Sequence, residues 1–112
     1  MAEINELYQE AEKLKDEGKL DESIVKLQEI LTQDESHVIS HLALAVVYGR
    51  VGKHEDAARH GQRACEIEPT DPFNFTALSV TYQRAWQGTQ NQKFIQLAED
   101  AMAKAHQLEG QR

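Results

Sequence analysis

The sequence predicts an all-α protein: six helices forming three antiparallel hairpins that stack on one another. Three observations carry that expectation. The 112 residues include only two prolines and six glycines, against many Ala, Leu, Glu, Gln and Lys, which cost little in a helix. Apolar residues recur at intervals of three and four, which places them on one helical face. Finally, Gly18 and Gly52 lie 34 residues apart, and one pattern surrounds both. Around Gly18 it reads Ala11, Leu14, Leu20, Ser23, Leu27 and Ile30; at the same offsets from Gly52 it reads Ala45, Tyr48, His54, Ala57, Gly61 and Ala64. A unit of this length cannot bury its own apolar face and must stack on a neighbour.

The elements follow in order. Ile4, Leu7, Tyr8, Ala11 and Leu14 predict a helix over 3–17, closed by Gly18 in the left-handed conformation. Asp21 is a good N-cap for the second helix, whose inner stripe is Ile24, Leu27, Ile30 and Leu31 and whose end lies near Gln33. Ser36 is the expected cap of a third helix running to about Val51 and stopping at Gly52. A fourth, over about 55–67, packs Ala57, Ala58, Gly61, Ala64, Cys65 and Ile67, and Pro69 ends it. Asp71-Pro72 is the sharpest start signal, a cap followed by proline in the first turn. The fifth helix carries Phe75, Leu78, Ser79 and Tyr82, with Gly88 as its expected stop. Thr89 to Gln92 reads as a capping box for the sixth, which carries Phe94, Leu97, Ala98, Ala101, Met102, Ala105 and Leu108.

With this period and this placement of small residues, the chain resembles the tetratricopeptide repeat (TPR) family. Leu44, Ala45, Tyr48, Gly52, Ala57, Ala64 and Pro69 fall on the family's signature positions in the second unit. The first unit matches at Ala11, Gly18 and Ser23, but has Leu7 where the family prefers Trp and Glu35 in place of the closing Pro. The third matches at Phe75, Leu78, Tyr82, Ala98 and Ala105 once a seven-residue insertion near 86–92 is allowed. The resemblance implies one domain, 1–112, with repeats at 4–37, 38–71 and 72–109, stacked as a right-handed superhelix. The insertion most simply lengthens both helices of its hairpin and sets Trp86 near the tip. There Trp86 either packs on Phe94 or stands out as an anchor for a partner.

The resemblance also implies that the first helix of each hairpin lines a concave face. The side chains left over from packing there include Tyr8 and Glu12, then Ile39, Leu42, Val46 and Arg50, then Phe73, Thr76, Val80 and Arg84. The third helix is apolar nearly all round, whereas a surface helix keeps one polar side. Leu44, Ala45, Val47, Tyr48 and Val51 suffice for its packing, so Ile39, Leu42 and Val46 are surplus. Either curvature or another segment of the chain covers them, or they form an apolar groove with Arg50 and Arg84 at one side. Such a groove suits an amphipathic helix or extended peptide bearing acidic groups. Some TPR domains clamp acidic chaperone tails through cationic and amide side chains. The corresponding places here hold Tyr8, Glu12, Ala43, Phe73 and Ala77, so that specificity is rejected.

Charge and chemistry-bearing residues narrow the function. The net charge of −7 resides in residues 1–37, which hold eleven acids and four bases. Without clustered Lys and Arg, nucleic acid is not an expected partner, and the acidic third reads as a solvated face. No apolar run approaches a bilayer span and the N-terminus lacks signal-peptide character, so a cytoplasmic address is expected. Cys65, the single cysteine, reads as a small helix side chain. His37 and His41 stand at i, i+4 without a third ligand, so neither metal nor cofactor is expected; His54, His60 and His106 look scattered. Glu22 and Lys26 suit simple pairing along a helix. With no phosphate loop or nucleophile elbow, an enzyme is a distant third.

The expected function is therefore non-enzymatic: a module or scaffold that holds a protein or peptide in its concave groove. The competing reading is self-assembly as a homodimer through the C-terminal hairpin. Trp86, Ile95 and Met102 broaden that hairpin's apolar surface, and no separate polar helix follows the sixth.

Overall fold

A computed structural model describes residues 3–111. It contains α1 (Ile4–Asp16), α2 (Leu20–Gln33), α3 (Val38–Arg50), α4 (His54–Ile67), α5 (Pro72–Thr89) and α6 (Lys93–Gly110), with no strand among the described residues. Successive helices pair as the hairpins α1–α2, α3–α4 and α5–α6, and the first helix of each later hairpin also packs on the one before.

The 34-residue phase recurs in the backbone itself. Gly18 and Gly52 take φ of +81° and +83°, a region open to glycine at little cost. At the first turn Lys19 N–H donates to Leu14 O at 2.8 Å and Gly18 N–H to Lys15 O at 3.0 Å. One period later Lys53 N–H reaches Tyr48 O at 2.9 Å and Gly52 N–H reaches Gly49 O at 3.2 Å. These paired bonds satisfy the carbonyls that a helix end leaves without partners. Between hairpins, Gln28 Nε2 donates to the Tyr48 hydroxyl at 3.0 Å, and Gln62 Nε2 donates to that of Tyr82 at 2.6 Å.

Two apolar clusters hold the stack together. Leu7, Ala11, Leu27, Ile30, Leu44 and Val47 join α1 and α2 to α3. Ala58, Cys65, Leu78, Tyr82, Ala85, Phe94, Ala98 and Ala101 join α4 to the third hairpin, with Trp86 packed at the edge. Gly61 lets α5 approach: a Cβ there would stand 2.9 Å from Leu78 Cδ1. Buried hydroxyls spend their donors on neighbouring helices, Ser23 Oγ on Ala11 O and Ser79 Oγ on Ala98 O, both at 2.8 Å.

Several expected caps are corrected. Asp21 lies within the first turn of α2, not at its cap; the glycine turn is so tight that the helix begins at Leu20, with Lys19 before it. There the Asp21 carboxylate still favours the helix dipole. Ser36 does not cap α3. Its N–H and hydroxyl both bond to Asp34 Oδ1 within the connecting turn, and His37 occupies the cap position. Asp71 behaves as expected, accepting from Phe73 N–H at 3.0 Å with Pro72 in the first turn.

Gly88 does not end α5, because the helix runs on through Thr89 and Gln90 takes the left-handed φ of 60°. Gly88 serves close approach instead, since a Cβ there would strike the His54 ring of α4. As the last residue of α5, Thr89 cannot cap α6; it bonds back to Ala85 O, and Asn91 Oδ1 receives Lys93 N–H. Nor does Lys26 pair with Glu22: it reaches across to Glu10 of α1 at 3.2 Å. Both helices of the third hairpin are long, 18 residues each.

Candidate functional site

One face of the stack is built from the first helices. The α1 residues Tyr8, Glu12 and Lys15 and the α3 residues Ile39, Leu42, Ala43 and Val46 meet Phe73 of α5 around a depression of about 320 Å³. A second, of about 260 Å³, shares Leu42, Val46 and Phe73 and continues past Thr76 and Val80 to Arg84. The two therefore form one apolar channel across three helices. Ile39 is 55% exposed, Phe73 64% and Val80 37%, while Leu42 and Val46 are half-buried. No segment among the described residues covers them. Of the side chains singled out from the sequence, Tyr8, Ile39, Leu42, Val46, Phe73, Thr76, Val80 and Arg84 come together here. Arg50 lines neither depression; it is exposed at the last turn of α3.

The channel is electrostatically uneven. At the α1 end Lys15 Nζ neutralises Glu12 at 2.9 Å. Burial, then the Glu12 charge, raises the Tyr8 pKa, so its phenol remains a neutral donor. At the other end Arg84 has no ion pair among the described residues. The channel thus has an apolar floor with a cation at one end.

A third depression, of about 420 Å³, lies between α5 and α6. Trp86, Phe94, Ile95, Ala98 and Met102 give it an apolar wall, and Ser79, Gln83 and Glu99 supply polar groups. Trp86 rests on the core cluster that contains Phe94 and is half-exposed.

Sequence spacing missed one cluster. His41 is buried on α3, and its Nδ1 lies 3.0 Å from Nδ1 of His60 on α4. His41 Nε2 lies 2.7 Å from the Glu35 carbonyl, which can only accept, so that nitrogen carries the proton. His60 Nδ1–H then donates to His41 Nδ1, and the His60 ring stacks on Tyr48 with centroids 5.6 Å apart. Burial, with the neighbouring His41 imidazole adding to it, lowers the His60 pKa to about 4. Glu35 also receives Arg63 through both carboxylate oxygens, at 2.7 and 2.8 Å. Helix periodicity relates residues within one helix, so it could not bring positions 41 and 60 together.

Burial raises the Cys65 thiol pKa to about 11, which keeps it protonated and poorly nucleophilic. Among the described residues no three His, Cys, Asp or Glu side chains are grouped to hold a metal ion. None of the helices is long and apolar enough to cross a membrane.

Comparison with known proteins adds the fold. No family model and no curated protein matches the sequence. Among solved structures, the crystal structure of MamA, a TPR-containing protein, is similar with a TM-score of 0.80 at 16% identity. The match covers 96% of this chain and 59% of that one, so the chain spans somewhat over half of MamA. At this identity the likeness speaks for a TPR-like helical-repeat fold.

Proposed function

We propose that the chain is a three-repeat TPR domain, with repeats at 4–37, 38–71 and 72–109, acting as a non-enzymatic, cytoplasmic protein-interaction scaffold. Its partner is an amphipathic helix or extended peptide whose apolar side chains fill the channel over Leu42. An acidic group of that partner faces Arg84, with Arg50 just beyond. The observation that carries this reading is the exposure of Ile39, Phe73 and Val80 around the half-buried Leu42 and Val46. A monomeric protein gains nothing by leaving such a contiguous surface open to water. Each residue is worth ~1.5–3 kcal/mol when a partner buries it. Because rigid helices preform the channel, little conformational entropy is lost on binding.

Affinity capture with wild type, Leu42→Asp and, as an off-channel control, Val25→Asp tests the reading. A partner retained by wild type and Val25→Asp but lost with Leu42→Asp, at unchanged helicity, supports it. Equal capture by all three overturns it.

The second reading, self-association through the C-terminal hairpin, is favoured by the open depression at Trp86, Ile95 and Met102. It does not exclude the first, because the two surfaces share no lining residue.

A further inference from the structure

The two ends of the stack differ in chemistry, and the difference bears on how copies can meet. Within the stack, α3 presents Ser40, Leu44, Val47 and Tyr48 toward the preceding hairpin, and α5 presents Asn74, Leu78, Thr81 and Tyr82 one period later. Seven of these eight are buried, and Tyr48 is half-buried. One period earlier, α1 carries Glu6, Glu10, Lys13 and Leu14, of which the three charged residues are exposed. Glu10 is further held by Lys26 at 3.2 Å. That face is a polar cap.

The opposite face is not. Ala45 and Gly49 precede Ser79 and Gln83 by the 34-residue period, and Gly61 precedes Met102 by that period plus the seven-residue insertion. Gly61 is where Leu78 of α5 seats against the second hairpin. The groove between α5 and α6 is therefore the equivalent of one that, in the second hairpin, a helix fills. Here it is open, with Ile95 38% exposed and Met102 half-buried.

We infer that a second copy of this chain seats in this groove about a two-fold axis near Met102, with the two α6 helices antiparallel. The inference rests on the self-association reading and gives it a geometry. A head-to-tail stack would instead press Glu6, Glu10 and Lys13 onto Trp86, Ile95 and Met102. That arrangement desolvates three charges and brings Glu10 toward Glu99. A two-fold arrangement lays apolar surface on apolar surface and closes after two copies.

Sedimentation equilibrium of the full chain over roughly 1–200 μM, with wild type and Met102→Glu, tests this. Met102→Glu, which sets a charge at the centre of the apolar contact, should weaken association at least ~10-fold. The expected result is a species that stops at two copies and is lost in Met102→Glu with helicity kept. Growth beyond two copies overturns the two-fold geometry while leaving self-association standing, and a strict monomer overturns both. Undiminished dimer in Met102→Glu overturns the placement. Should that variant not fold, wild-type fluorescence decides, because Trp86 is the sole tryptophan. Its emission shifts to the blue as dimer forms, and unchanged emission across the dimerisation range places the contact elsewhere.

Discussion

Acidification should destabilise the fold through His60, and His60→Gln should remove that part of the loss while keeping an N–H donor near His41. The His60 ring is half-buried between Tyr48 and His41. Burial, with the neighbouring His41 imidazole and then Arg59 adding to it, holds its pKa at about 4; Asp56 and Glu35 oppose the effect without reversing it. The unfolded chain takes up the proton near the usual imidazole value of about 6.5. Between these values the unfolded state holds more protons. The stabilisation is thus complete above about pH 6.5 and is lost as the pH falls toward 4. The whole displacement corresponds to about 3.4 kcal/mol, and solvent screening of a half-exposed ring reduces this to ~1–2 kcal/mol. Urea unfolding followed by circular dichroism at about pH 7, 6, 5 and 4 measures it. The stability gap between wild type and His60→Gln should shift by ~1–2 kcal/mol in the variant's favour at the acidic end. A gap constant within about 0.3 kcal/mol, or one that moves toward wild type, refutes the reasoning.

Three further outcomes follow from packing and backbone geometry. Leu44→Ala, at a fully buried position, should cost ~3–5 kcal/mol in the same unfolding assay, and a loss below about 1 kcal/mol would contradict the α2–α3 packing. Gly18→Ala should cost ~1 kcal/mol through backbone strain alone, since nothing lies within 4 Å of the added Cβ. Gly61→Ala meets Leu78 Cδ1 instead, so Leu78→Ala in the same chain should recover part of its cost, whereas no second-site truncation should relieve Gly18→Ala. Ser79→Ala should cost ~1 kcal/mol through loss of the bond to Ala98 O, read as a lower urea midpoint.

The helices were legible because periodicity and glycine placement are local signals. Gly18 and Gly52 each close a helix with positive φ, and the lengthened third hairpin followed from its extra residues. Caps were less legible, because several residues compete for each. The tight glycine turn advanced the start of α2 past Asp21, and Asp34 took the Ser36 hydroxyl. Gly88 was misread because a glycine looks the same whether it ends a helix or admits a neighbour's ring. Ile39, Leu42 and Val46 could be named from the surplus apolar side chains of α3, and the α1 and α5 lining from the resemblance to the repeat family. The His41–His60 pair could not, because it is 19 residues apart in sequence and joined only when α3 folds against α4.

Site-specific photocrosslinking tests the open channel most directly. p-Benzoylphenylalanine at position 73, in the channel floor, is compared with the same group at position 25, on the exposed outer side of α2. The channel account expects a partner crosslinked from position 73, absent from position 25, and lost when Leu42→Asp is added. A partner crosslinked from position 25 and not from position 73 would contradict it.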